Sequence, residues 1–430
     1  MNIFVALVAL SFLILVHELG HFLAARWSGV KVLEFSIFMG PKIFSWGKGE
    51  TKYSIRAIPM GGFVKLEGME ENSDDLRAFN NKPARIRALV ILAGSAMNII
   101  IAILIITLIS SSMGFNTRVV AEMSESSPLK EAGIMPGDEI VSYDGKHIFH
   151  PSDLFMFLYV STGEPVEIAY RREGVRGLQR TMVTPKEIPP VYMIGITVGT
   201  TDGTANNVVG EVQKGSPADK AGIMPGDVIV RVDDVLVTER KDLVNYLQKT
   251  KDKPVKITVY RDGELVNIEG VVPQPSQTYF DLGVQFEYRK GNIISSLGSS
   301  VNYSISTIRN VYYSIVWLIT GKASFREVSG PVGIVSYIGE VVEMGRGLSE
   351  KLLNLLQITA FLSLNLGVMN MIPFPALDGG KLVLIIIEKI RRKPIAPEKE
   401  AWISLVGFVM LIALLIATLF NDIPKVFRGY

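Results

Sequence analysis

Four stretches of the chain stay apolar for about the 20 residues a helix needs to cross a ~30 Å hydrocarbon core at ~1.5 Å per residue. They cover residues 3–25, 86–109, 352–387 and 401–420. The third is too long for one straight crossing, and Pro373 and Pro375 interrupt it, so it reads as a broken helix. Irregular backbone at membrane depth is tolerated only where it lines a site or is buried in protein. The first stretch reads as a span rather than a cleaved signal, because Met1-Asn2 brings no positive charge and His17, Glu18 and His21 interrupt the apolar run. A different period runs through Ile294, Leu297, Val301, Ile305, Ile308, Tyr312, Ile315 and Ile319, stepping by three or four with Asn, Ser and Arg opposite. That spacing predicts a helix with one greasy face, lying in the outer interface within residues 292–328.

Between the second and third spans the sequence repeats itself. Residues 127–141 read SPLKEAGIMPGDEIV and residues 216–230 read SPADKAGIMPGDVIV, 89 positions later and identical at 11 of 15. Each copy combines a Ser-Pro helix start, a Gly stop, a Pro-Gly-Asp turn and an apolar strand. The pattern resembles the PDZ domains of bacterial proteases, and the expected tandem occupies 116–199 and 205–288. Such modules bind extended segments by adding a strand to a sheet edge. Residues 195–198 (GITV) and 282–286 (LGVQF) are the candidate edges, and a tandem acting only as a steric cap is the competing expectation. Before the second span, residues 53–66 alternate in character around Gly61-Gly62 and predict a β-hairpin.

Charge sets the orientation. Residues 26–87 carry 11 Lys or Arg and residues 389–399 carry 5, and short basic loops stay on the cytoplasmic side. The N-terminus, residues 110–350 and the C-terminus are then external, which in a Gram-negative cell is the periplasm. A net charge of +2 leaves no electrostatic footprint for nucleic acid. No Cys is present, which excludes disulfides, thiolate metal sites and a Cys nucleophile, and only four His remain to hold a metal. Of these, His147 and His150 fall in the first repeat and read as surface or loop residues.

The other two form His17-Glu18-Leu19-Gly20-His21 inside the first span. On a helix, residues i and i+4 share a face, so both imidazoles can reach one Zn²⁺ while Glu18 sits beside them to activate a water. Three ionisable groups in five residues at membrane depth are costly unless functional. A tetrahedral zinc needs one more protein ligand. Asp378 is the only carboxylate between Lys351 and Glu388, just past the double-Pro break, and we take it as that ligand. Asn370 stands where it can hydrogen-bond a substrate carbonyl or developing oxyanion.

H-E-x-x-H in an early span with N-x-x-P-x-P-x-L-D-G in a late one resembles the site-2 protease family of intramembrane zinc metalloproteases. The order of spans, the tandem insert and Gly-Pro-Val-Gly-Ile at 330–334 are most similar to its bacterial members that regulate sigma E. The resemblance implies a polytopic α-helical membrane protein: four transmembrane helices, an inserted pair of periplasmic PDZ domains (α+β) and a membrane-associated β-hairpin. Its regions would be a first helix at 1–26, a re-entrant hairpin loop at 27–85, a second helix at 86–112, a broken third at 350–388 and a fourth at 401–420. It implies one Zn²⁺ per chain on His17, His21 and Asp378, with Glu18 as catalytic base and acid. Asn370, Asn365 and the hairpin residues Gly61, Gly62 and Phe63 would assist substrate binding. Expected substrates are single-span membrane proteins, a pre-trimmed anti-sigma factor and remnant signal peptides, cut in the inner-membrane bilayer. Two other classes fit fewer of these residues: a PDZ adaptor anchored in the membrane, and an ion or proton transporter using the same buried groups.

Overall fold

The computed structural model describes residues 2–69, 73–199, 207–213, 215–276, 278–325, 328–343, 345 and 347–428. Among these, four helical stretches are long and apolar enough to cross a membrane: Phe4–Trp27, Ala84–Met113, Leu348–Asn370 and Glu398–Phe420. They belong to α1 (Asn2–Trp27), α2 (Ala84–Met113), α7 (Leu348–Asn370) and α9 (Pro397–Arg428). The long third run is broken as its prolines require, into α7 and α8 (Asp378–Arg391).

Helices α1 and α2 approach closely because Gly20 of α1 lies directly against the Ala93 carbonyl of α2, where any Cβ would collide. Helix α7 closes on α2 in the same way, with Gly367 against the Ser95 carbonyl and the Ser363 hydroxyl donating to Asn98 O at 2.8 Å. Small residues at crossings are how helices pack where lipid supplies no hydrophobic drive between them.

Strands β1 (Val32–Trp46) and β2 (Lys52–Leu66) form a sheet that differs from the expected hairpin. The two halves of β2 do not fold onto each other at Gly61-Gly62. Instead Glu34–Ile37 of β1 face Gly62–Lys65 on one side and Lys52–Ile55 on the other. The strand does reverse between Ile55 and Gly62, but Glu34–Ile37 lie between its two halves, and at the reversal Gly61, at φ +82°, and Gly62 press against Ile14 and Leu15 of α1.

The repeat builds two sheets of equal plan. In chain order the long strands are β3 (Phe115–Met123), β4 (Glu139–Tyr143), β5 (Val166–Arg171), β6 (Gln179–Val183), β7 (Ile196–Gly199), β8 (Val208–Val212), β9 (Val228–Val232), β10 (Val255–Arg261), β11 (Glu264–Val271) and β12 (Val284–Arg289). One sheet runs β12-β3-β4-β5-β6, the other β7-β8-β9-β10-β11. The modules are therefore nested, not laid end to end as 116–199 and 205–288: β12 completes the first sheet after the chain has built the second, and β7 belongs to the second sheet. Both candidate edges, in β7 and β12, do lie at the end of a sheet. Each module carries one longer helix, α3 (Pro151–Tyr159) or α4 (Arg240–Thr250).

The 89-residue offset is kept in the side chains. Arg172 binds Asp138 in the first module and Arg261 binds Asp227 in the second, each Arg also donating to the glycine carbonyl at 133 or 222. Both carboxyls are almost fully buried. Burial pushes them up, but the arginine hydrogen bonds, a backbone N–H and the arginine charge outweigh it and hold both below the usual carboxylate range.

The periodic stretch forms α5 (Ile293–Ile319), followed by a short apolar helix α6 (Pro331–Glu343) that the sequence pattern does not single out. On α5 the buried face is the small polar one, with Ser296, Ser300, Ser304 and Thr307, while Ile294, Leu297, Val301 and Ile305 are exposed. Two of the serines donate their hydroxyls to carbonyls one turn back, Ser300 to Ser296 and Ser304 to Ser300. Small residues thus pack and apolar ones point outward, as for a helix whose surroundings include lipid.

His150 lies in the loop before α3, half-buried rather than on the surface. Its ring caps α3 through the Ser152 N–H and meets Tyr303 of α5 edge-on, and burial pushes its pKa down to about 4. Next to it, fully buried Asp153 accepts from Ser306 and pairs with Arg309, both on α5.

Candidate metal centre

Helix α1 places His17 and His21 on one face, as i and i+4 must be, and α8 begins at Asp378 directly beside them. His17 Nε2 and Asp378 Oδ2 lie 3.0 Å apart, His21 Nε2 and Asp378 Oδ2 3.2 Å, and the two imidazole Nε2 atoms 3.1 Å. A tetrahedral ion with bonds of roughly 2.0–2.1 Å sets its donor atoms about 3.3 Å apart. The three donors thus fit one zinc-sized ion with only a slight expansion. Both histidines are buried.

What lies behind the ligands is as specific. His21 Nδ1 is 2.8 Å from Val90 O, a carbonyl that can only accept, so the ring proton sits on Nδ1 and Nε2 keeps its lone pair for a metal. A Cβ on Gly94 would stand 2.5 Å from His21 Nε2 and 2.8 Å from His17 Cε1, so only glycine leaves room for both rings against α2. Glu18 turns the other way, toward β2, and its Oε2 accepts the Val64 N–H at 3.0 Å.

Asp378 is held in place by the double-Pro break. The loop from Met371 to Leu377 contains Ala376 at φ +76°, a strained conformation for a residue with a Cβ, and such strain gathers at functional sites. Gly379 packs against the Met371 and Ile372 carbonyls, Gly380 against that of Phe374, and Gly407 of α9 against that of Pro375. The Gly-Gly after Asp378 is therefore a steric requirement of turning straight from the loop into α8. A cavity of about 160 Å³ opens over the centre, lined by Ile14, His17, Glu18, Leu366, Asn370, Ala376, Leu377 and Asp378. Larger clefts exist, one of about 870 Å³ between α2, α8 and α9, but the small one holds the chemistry.

The structure brings together His17, Glu18, His21, Asp378 and Asn370, whose Nδ2 stands 3.4 Å from His17. Gly61 and Gly62 lie against α1 one turn before His17, and Phe63 lies under the Arg56 guanidinium. Asn365 is not among the residues lining the cavity: its amide donates to Phe361 O in its own helix. Sequence reasoning passed over Val64, Ala376, Gly94 and Asn98. The last two carried a signal, since a Gly and an Asn four apart inside an apolar span call for a reason.

Comparison with known proteins agrees in extent with the whole chain. The family model described as Peptidase family M50 matches residues 5–414. A putative zinc metalloprotease of Clostridium acetobutylicum is 31% identical over 98% of this chain and 97% of its own length. The regulator of sigma-W protease RasP of Bacillus subtilis is 30% identical over 96% of each chain, and a probable protease, eep, of Enterococcus faecalis 28% identical over 98% of each. With four membrane-length apolar helices and a match that runs through both halves of the site, the chain belongs to Peptidase family M50 and is a membrane-embedded peptidase.

Proposed function

We propose that the chain is an intramembrane zinc metalloendopeptidase that cuts single-span membrane proteins inside the bilayer in regulated intramembrane proteolysis. The observation that carries this is the triangle of His17, His21 and Asp378 donor atoms, 3.0 to 3.2 Å on a side, assembled from the apolar span α1 and the start of α8. The names of the relatives, zinc metalloprotease and regulator of sigma-W protease, support the metal and the regulatory setting.

His17, His21 and Asp378 would hold one Zn²⁺. When bound, it supplies Lewis acidity, polarising a scissile carbonyl and lowering the pKa of water to about 7. Glu18 accepts the proton of the attacking water on Oε1, while the Val64 N–H fixes Oε2, and returns that proton to the leaving nitrogen. Asn370, at the cavity wall, donates its amide to the developing oxyanion. Asn365 acts at most on substrate outside the cavity.

A helical substrate shields its own peptide bonds and must be unwound before attack. Strand β2 offers the means: Gly61, Gly62 and Phe63 lead into an edge that reaches Glu18 at Val64, and an extended substrate adds alongside it. Proline scanning across 53–66 tests this, and wild-type cleavage throughout would sink it.

The two nested sheet modules are a tandem of PDZ domains on the periplasmic side of the inner membrane, with both chain termini; residues 27–85 and 389–399 are cytoplasmic. The tandem admits trimmed ectodomains and rejects intact ones, so that the natural substrates are an anti-sigma factor already cut outside and leftover signal peptides. Removing 116–288 should allow cleavage of untrimmed substrate; unchanged selectivity counts against the filter. For the activity itself, Glu18→Gln in proteoliposomes should abolish cleavage of a model single-span substrate. Persisting cleavage would refute the assigned role.

A further inference from the structure

Val90, Gly94 and Asn98 form a stripe along α2, four residues apart, that faces the His17–His21 pair of α1. Val90 gives its carbonyl to His21 and Gly94 gives the space both rings occupy. Asn98 is fully buried, and its Nδ2 stands 3.4 Å from His17 Nδ1 while its Oδ1 has no hydrogen-bond partner among the described residues. A buried amide oxygen without a partner has given up its water and gained nothing in return. The two ends of a carboxamide are nearly the same shape, and rotating it by half a turn places the oxygen where the nitrogen was. The oxygen then accepts the Nδ1 proton of His17.

We propose that Asn98 is the positioning residue for His17: its carboxamide oxygen takes the Nδ1 proton and so fixes the tautomer that presents Nε2 to the metal. This rests on the zinc reading above. It makes the two imidazoles alike, each holding its Nδ1 proton on an α2 oxygen, Val90 O for His21 and Asn98 Oδ1 for His17. Asn370 does not compete for the proton. Its Nδ2 is 3.4 Å from both ring nitrogens of His17, and an atom equidistant from the two lies in line with neither N–H direction.

The test is zinc affinity of the full-length protein in detergent, by chelator competition, for Asn98→Leu and Asn98→Asp. Leu keeps size and apolar packing but removes the acceptor; Asp keeps an acceptor. Outer-shell partners are worth 10–100-fold in metal affinity, so Leu should weaken zinc by that factor and Asp should stay within threefold of wild type. A packing role demands the reverse order, because Leu suits a buried helix face and a carboxylate does not. Leu within twofold of wild type, or Asp weaker than Leu, overturns the proposal. ¹⁵N chemical shifts of the zinc-loaded wild type need no variant: a proton on His17 Nδ1 supports it, and a proton on Nε2 with metal on Nδ1 overturns it. Should wild type bind no zinc, or keep it after His17→Ala, the zinc reading itself fails, an outcome distinct from a wild-type site that ignores Asn98.

Discussion

Adding one methyl group at Gly94 tests the site through its scaffold rather than its ligands. In Gly94→Ala the new Cβ would lie 2.5 Å from His21 Nε2, 2.6 Å from its Cε1 and 2.8 Å from His17 Cε1, whereas ordinary contact begins near 3.4 Å. Relief requires the rings to retreat by 3.4 − 2.5 = 0.9 Å and 3.4 − 2.8 = 0.6 Å, or α1 and α2 to separate by as much. Separation is resisted by the Gly20 contact with Ala93 and by α7 locked on α2 through Ser363. Metal–ligand distances tolerate roughly ±0.2 Å, so displacements of this size should weaken zinc by at least about 100-fold, or ~2.7 kcal/mol. Chelator competition on the purified full chain reads the affinity, cleavage of a single-span substrate reads the consequence, and a melting curve confirms the fold. An alanine variant that melts as a folded protein yet holds zinc within twofold of wild type would refute the packing on which the site is built.

Removing the counter-charge in Arg172→Met leaves Asp138 buried without its arginine and should lower the melting temperature; Arg261→Met should act alike on Asp227 at the same point of the repeat, both read by thermal melting. Because these two carboxyls are held below their unfolded value near 3.8, their contribution is complete above that pH and is lost as pH falls through the folded pKa, so wild type should lose more stability below pH 4 than either variant. His150 has the opposite charge type: depressed from 6.5 to about 4, it stays neutral when folded while the unfolded chain takes up a proton, so stability falls from pH 6.5 to 4 by up to about 3 kcal/mol, and His150→Asn, which keeps a cap, should flatten that slope. Val64→Pro removes the N–H that holds Glu18, and cleavage should drop at least tenfold with zinc retained; equal cleavage would mean that the Glu18 contact is incidental.

Much of this was legible in the chain because it depends on residue type and short spacing. His17 and His21 sit four apart in a helix, so their convergence needs no tertiary information. Asp378 stood out because a charge in an apolar run demands a partner, and the 89-residue repeat announced two modules. What escaped depends on long-range geometry. The nesting of the modules lies in the pairing of β12 with β3, strands at opposite ends of the insert, which no local pattern encodes. Strand β2 reverses near its Gly-Gly as the sequence suggests, but Glu34–Ile37 of β1 lie between its halves, an insertion from a distant segment that no local pattern encodes. Helix α5 shows its greasy face outward because its surroundings reward small polar residues at the contact, inverting the soluble-protein rule. Asn98 was overlooked because an asparagine in a span is informative only once its oxygen is seen to lack a partner beside His17.

The central claim is that α1 and the start of α8 assemble one zinc site whose base is not a ligand. Metal content of the purified full-length protein, measured per chain for wild type, Glu18→Gln and Asp378→Ala, tests it most directly. The account predicts one zinc in wild type and in Glu18→Gln, and a fraction of that in Asp378→Ala. Zinc lost from Glu18→Gln, or kept in full by Asp378→Ala, would contradict it.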